Sequence, residues 1–184
     1  MATTVVRSMS VEEFLALPDD GCQYELVQGE LIEMPGSGFE HSAINALLIL
    51  ELGLYNRQHK LGIVTSSDGA YVLNRETRTV LVPDVAFTRI DRLPPPGERT
   101  GVLELVPDLV IEVASPSDSA NRISEKVREY LDAGVRLVWV FYPKRRMAQV
   151  FTPDRNSRLL YEDDILDGGD VLPGFEMRIG DVFE

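Results

Sequence analysis

Two apolar runs decide what this chain can fold into. Residues 109–114 read LVIEVA and residues 136–142 read RLVWVFY. Near-continuous apolar runs of that length mark strands buried on both faces. Between them, 115–133 carries a helical period and ends at Gly134, a common stop residue. A strand, a helix and a strand in that order predict a right-handed crossover and parallel pairing. The fold class expected is therefore α/β, with a mixed central β-sheet flanked by helices.

The flanking segments fill in that sheet. Ser10 with Glu13 three residues on reads as a capping box, so a short helix over 11–17 should stop at Pro18. Strands over 23–27 and 31–34 enclose Gln28-Gly29, a hairpin signal. Residues 40–58 read as a long helix whose apolar positions wrap most of the way round. One side would then meet the core and another a second copy of the chain. Strands are expected over 62–66, 69–74 and 80–88, and a hairpin over 147–152 and 158–161 on the sheet edge. Residues 93–97, LPPPG, read as a stiff surface loop. With 184 residues the chain suits one domain over 1–184, with a helical arm at 1–20 and an acidic tail at 162–184.

Composition narrows the chemistry. Cys22 is the only cysteine, so a thiolate zinc site cannot be built, and with only His41 and His59 present a multi-His site is disfavoured. No signal-peptide pattern or membrane span is read, and the expected setting is cytoplasmic. The net charge is −12, which argues against non-specific coating of nucleic acid. That charge is uneven. Residues 122–158 hold nine Lys and Arg against four Asp and Glu, leaving −17 for the rest. The Lys144-Arg145-Arg146 turn within them could line a phosphate track. Carboxylates with an oxygen-loving metal are the tools this chain supplies best. No phosphate-binding glycine loop and no nucleophile elbow is present.

Two acids stand out. Asp84 opens the apolar stretch Val85-Ala86-Phe87, and Glu112 interrupts LVIEVA. A carboxylate in a buried strand costs several kcal/mol unless it is paired, protonated or metal-bound. The bland reading is a turn cap for Asp84 and an arginine partner for Glu112. Converging on neighbouring strands, the two would instead suit Mg²⁺ or Mn²⁺, with the Val113 carbonyl as a further ligand. In the following helix, Ile123, Val127, Tyr130 and Leu131 share an arc of about 100°. Lys126 flanks that arc, about 40° from Tyr130, and can extend its ammonium towards the acids. The bland alternative is a surface lysine. His41, at the start of the long helix, could touch a phosphate or order a water. Glu25 and Glu30 in the first hairpin are further acids that could assist a metal.

These residues fall in a familiar order. It runs Val11-Glu12-Glu13-Phe14-Leu15-Ala16-Leu17-Pro18, then Tyr24-Glu25-Leu26-Val27-Gln28-Gly29-Glu30-Leu31, then His41. Pro83-Asp84-Val85-Ala86-Phe87 and Pro107-Asp108-Leu109-Val110-Ile111-Glu112-Val113-Ala114-Ser115-Pro116-Ser117 follow, and then Lys126, Tyr130, Gly134-Val135 and Val138-Trp139-Val140. From about 11 to 142 the chain resembles the Uma-type restriction-endonuclease family, within the PD-(D/E)xK nuclease superfamily. The resemblance implies a restriction-endonuclease-like core and divalent-metal hydrolysis of DNA phosphodiesters. Asp84 would be its first acid and Glu112 its second. The superfamily's lysine position holds Ala114 here, a departure from the pattern. Family members carry a helix lysine, which matches Lys126.

Two other readings compete. One is a catalytically weak or inactive nuclease-fold module that binds or dimerises, favoured by Ala114 and the apolar long helix. The other is a metal-dependent hydrolase of a different substrate, favoured by the acidic surface. A homodimer fits the nuclease reading, because double-strand cleavage needs two sites.

Overall fold

The structure, a computed structural model, describes residues 8–102, 104–115 and 118–184. In chain order the helices are α1 (Val11–Leu15), α2 (Phe39–His59) and α3 (Ala120–Ala133). The strands are β1 (Gln23–Val27), β2 (Glu30–Met34), β3 (Gly62–Ser66), β4 (Tyr71–Asn74), β5 (Thr79–Leu81), β6 (Val85–Arg89), β7 (Leu109–Val113), β8 (Leu137–Tyr142), β9 (Met147–Phe151), β10 (Ser157–Leu160), β11 (Ile165–Asp167) and β12 (Glu176–Arg178). A six-stranded sheet has the order β10-β9-β8-β7-β6-β3, and a four-stranded sheet the order β2-β1-β5-β4. β7 and β8, the two apolar runs, pair in parallel, while the other neighbours in the sheet are antiparallel. The sheet is therefore mixed and flanked by helices, as the apolar runs require.

Alternation along the strands divides the core. Leu109, Ile111 and Val113 of β7, with Trp139 and Phe141 of β8, face Ile44, Leu48 and Leu52 of α2. Val110, Val138 and Val140 face the opposite way, onto Val127 and Tyr130 of α3 and onto Tyr71, Leu73 and Leu81 of the smaller sheet. Glu112 shares this second face, because side chains two apart in a strand point the same way. A third cluster seats Val11 and Phe14 of α1 against Leu26, Val72 and Val80. The capping box forms, with Glu13 N donating to Ser10 Oγ at 3.1 Å and Ser10 N to Glu13 Oε2 at 2.9 Å. The β1–β2 turn uses positive φ at both Gln28 (51°) and Gly29 (84°), the geometry that suits a two-residue hairpin.

Three expectations need correction. The strand expected over 80–88 is two strands in different sheets, β5 and β6. Pro83 has no N–H for a ladder, so the chain leaves one sheet at Val82 and joins the other at Val85. Helix α3 begins at Ala120 rather than 115, because Ser119 Oγ caps it by accepting from Arg122 N at 3.2 Å. Pro116 and Ser117 lie outside the described residues. The stretch 162–184, read as an acidic tail, is packed: Leu166, Val171, Leu172, Phe175, Ile179 and Val182 are buried in the α2-side core. Its acids face outward, and their number hid the apolar residues between them.

Candidate active site

The site forms where β6 and β7 pair and α3 leans over them. Val85 pairs with Ile111. Continuing that antiparallel register by one residue sets Asp84 opposite Glu112. Asp84 precedes β6, so its side chain does what backbone would otherwise do. Its Oδ2 accepts the Val113 N–H at 2.7 Å. The N–H and C=O of an extended residue point to the same edge of the strand. The Val113 carbonyl therefore faces the Asp84 side, while Ala114 N turns the other way to Phe141 O at 2.8 Å.

Helix α2 supplies the rest of the Asp84 shell. His41 Nε2 lies 3.2 Å from Asp84 Oδ2, and Asn45 Nδ2 donates to Asp84 Oδ1 at 3.2 Å. Burial pushes the Asp84 carboxyl up, but the His41 hydrogen bond and charge, the Val113 amide and Lys126 outweigh it and hold it below its ordinary value. The hydrogen bond to Asp84 in turn raises His41 above the usual imidazole range, against the pull of burial. Asn45 Oδ1 is buried with no hydrogen-bond partner among the described residues.

Helix α3 supplies the shell of Glu112. Lys126 Nζ lies 2.9 Å from Glu112 Oε2 and 3.0 Å from Glu25 Oε1. One turn on, Tyr130 Oη donates to Glu112 Oε1 at 2.5 Å. Glu25 is fully buried in β1, and its Oε1 also accepts Val82 N at 3.1 Å. Its Oε2 lies 3.6 Å from Arg122 Nη2. Burial is the main force on Glu112 and carries its carboxyl up to about 7; Asp84 and Glu25 add to this, while Lys126 and Tyr130 oppose it. Burial disfavours the Lys126 ammonium, yet Glu112 and Glu25 together raise it above the ordinary lysine value. The lysine thus keeps its proton, and the surplus acid of the cluster is Glu112.

The structure brings together Asp84, Glu112, Val113, Lys126, His41 and Glu25, and leaves Glu30 exposed on β2. All of these but the buried Glu25 and the exposed Glu30 border a cleft of about 360 Å³ that the loop 35–38 also lines. Sequence reasoning missed two members. The helical arc uses only the apolar ring of Tyr130, although a buried tyrosine needs a partner for its hydroxyl. Asn45 sits one turn after His41 on a buried arc, and an amide there also demands partners.

The donors fit a hard cation. Two carboxylates and a carbonyl are oxygen ligands of the kind Mg²⁺ and Mn²⁺ prefer. Among the described residues no group of three or more His, Cys, Asp or Glu could hold a metal ion by itself. A cation here would therefore keep several waters, and the orphaned Asn45 Oδ1 offers one of them an acceptor.

A mixed sheet with a parallel pair at its centre, one acid just before β6 and another on the adjoining β7, and a helix on either face make an α/β fold with its acids gathered at one place. The chain belongs to the Uma2 family, described as "Putative restriction endonuclease", which it matches over residues 11–180. It is also similar to the crystal structure of "a putative nuclease belonging to DUF820" from Anabaena variabilis. The TM-score is 0.84 at 20% identity, covering 95% of this chain and 97% of that one. At that identity the likeness concerns the fold. No curated protein matches. Among the described residues no helix is long and apolar enough to cross a membrane.

Proposed function

We propose that this protein is a cytoplasmic, Mg²⁺- or Mn²⁺-dependent endonuclease that hydrolyses DNA phosphodiester bonds. The observation that carries the reading is the convergence of Asp84, just before β6, and Glu112, on its partner strand β7, with Lys126 between Glu112 and Glu25. Asp84, Glu112 and the Val113 carbonyl would hold the cation. When bound, it supplies Lewis acidity to a phosphoryl oxygen and acidifies a water. The chain's own residues position and neutralise. His41, Asn45 and the Val113 amide fix the Asp84 carboxylate in one orientation. Tyr130 does the same for Glu112. Lys126, held protonated, offsets charge on the phosphate and orients the attacking water rather than deprotonating it. Glu25 keeps Lys126 in place from the other side. Ala114 leaves the strand position empty of a lysine, and Lys126 from α3 reaches the same acid.

The test is cleavage of supercoiled plasmid with Mg²⁺ or Mn²⁺. Wild type should nick or linearise it, while Asp84→Ala and Glu112→Ala should lose about 100-fold or more in rate, as loss of a charge-stabilising group does. Equal activity in all three would mean a contaminant and end the reading.

A second reading has one observation in its favour. Asp84 and Glu112 are already satisfied by His41, Asn45, Val113, Lys126 and Tyr130, so the cluster is stable as a set of ion pairs. That suits a nuclease-fold module without catalysis. Calorimetry with Mn²⁺ separates the two, because a purely structural cluster takes up no metal. We also propose a homodimer through α2, whose outer face exposes Leu50 (53%) and Leu54 (47%). Sedimentation should report twice the 20.6 kDa chain mass.

A further inference from the structure

The cleft does not end at the carboxylates. A second groove, of about 480 Å³, runs on from it. Ala114, Ser115, Asp118 and Ile123 wall both. The groove crosses the carboxyl ends of β7 and β8, the parallel pair, where ligands of open α/β sheets commonly lie. The first residue of α3, Ala120, also borders it, which adds the positive end of that helix. At the far end stand Lys144 and Arg145, on the 3₁₀ turn Pro143–Arg145 that follows β8.

The three consecutive cations of this turn are not equivalent. Arg146 is spent on the C-terminal segment. Its Nε lies 2.8 Å from Glu162 Oε1, its Nη1 donates to Phe183 O at 2.8 Å, and its guanidinium stands 5.7 Å from the Phe183 ring centroid. Lys144 and Arg145 are exposed and have no carboxylate partner among the described residues. Both line the groove, so their charge is available to an anion lying in it. Asp118, on the shared wall, is already engaged by Ser115 N at 2.7 Å. Beyond Arg145 the surface turns acidic at Glu162, Asp163 and Asp164, which bounds the groove.

We propose that this groove holds the DNA backbone flanking the reacting phosphate, with Lys144 and Arg145 each contacting a phosphate and Arg146 contacting none. The proposal rests on the nuclease reading above and names the face through which its substrate is held. An acidic protein that binds DNA must do so through such a strip, and each phosphate contact releases counterions.

The experiment measures affinity for a duplex oligonucleotide in EDTA across a salt series, by fluorescence anisotropy. Each phosphate contact adds about 0.9 to the slope of log K against log[salt]. K144A/R145A should therefore lower the slope by about 1.8 and weaken binding roughly tenfold or more at low salt. R146A and R155A, each removing one charge outside the proposed contacts (Arg155 lies in the β9–β10 turn, off the groove), should leave the slope unchanged. An unchanged slope in K144A/R145A, an equal loss in R146A, or no binding by wild type at low salt overturns the proposal. Plasmid cleavage by wild type is scored separately. Cleavage with an unaltered slope removes the groove and keeps the nuclease; an altered slope without cleavage does the reverse.

Discussion

Lys126 and Glu112 meet across the gap between α3 and β7, with Nζ 2.9 Å from Oε2. The two side chains are 11% and 13% exposed, so little solvent screens the pair. Glu25, fully buried, lies 3.0 Å from the same nitrogen. One ammonium therefore stands between two carboxylates, with Asp84 close enough to raise Glu112 further. This arrangement lets stability and metal binding be tested apart from turnover.

Lys126→Met should cost about 3 kcal/mol of stability above neutral pH, because removing one partner strands buried charge. Without the ammonium, Glu112 gains proton affinity, because Lys126 is the charge that most opposes its upward shift. A carboxyl raised in the folded state favours folding where it is protonated and opposes it where it must ionise. The deficit against wild type should therefore shrink as pH falls from about 8 to about 5.5. Urea denaturation at the two pH values checks this; a deficit independent of pH would mean that the lysine serves only as packing.

Metal binding should compete with a proton. The Glu112 carboxyl, carried up to about 7 chiefly by burial, must ionise to act as a ligand. Apparent Mn²⁺ affinity should fall about tenfold per pH unit below about 7 and level off above it. Calorimetry in buffers of different ionisation heat should show proton release near neutrality. Tyr130→Phe removes the 2.5 Å hydrogen bond that favours the ionised form, so this pH midpoint should move upward. The same variant leaves a buried acceptor short of a donor and should cost about 1–2 kcal/mol in stability. An unmoved midpoint would mean that the hydroxyl only fills space.

A chain ending at residue 161 should not fold cooperatively. It would strip Leu166, Val171, Leu172, Phe175, Ile179 and Val182 from the α2-side core, including the Phe175 ring stacked 5.8 Å from Trp139. At about 2 kcal/mol for each buried side chain, that loss matches the whole stability of an ordinary domain. Loss of the thermal transition with binding of a hydrophobic dye is the expected outcome. A solvated acidic tail would leave the melting temperature unchanged.

Much of the architecture could be read from residue patterns, since those patterns are local. LVIEVA and RLVWVFY have the length and composition of buried strands, and β7 and β8 pair in parallel. Ser10 with Glu13, Gln28-Gly29 and Gly134 mark a cap, a turn and a stop, and each element changes close to them; Gly134 takes φ 102° at the end of α3. The angular position of Lys126 on α3 could likewise be computed from 3.6 residues per turn. Asp84 and Glu112 were conspicuous because a charge in an apolar strand must be compensated.

What the sequence by itself determined is the set of elements and the two acids that those elements would have to accommodate. Which groups compensate them was decided by tertiary structure. His41 and Asn45 reach Asp84 from α2, and Glu25 reaches Lys126 from a strand in the other sheet. The partner of the Tyr130 hydroxyl, the exposure of Lys144 and Arg145 with no carboxylate partner among the described residues, and the engagement of Arg146 were decided the same way. So was the burial of the apolar residues of 162–184. Local periodicity reports the direction of a side chain from its own backbone. It carries nothing about partners tens of residues away, and the state of a buried charge depends on those partners.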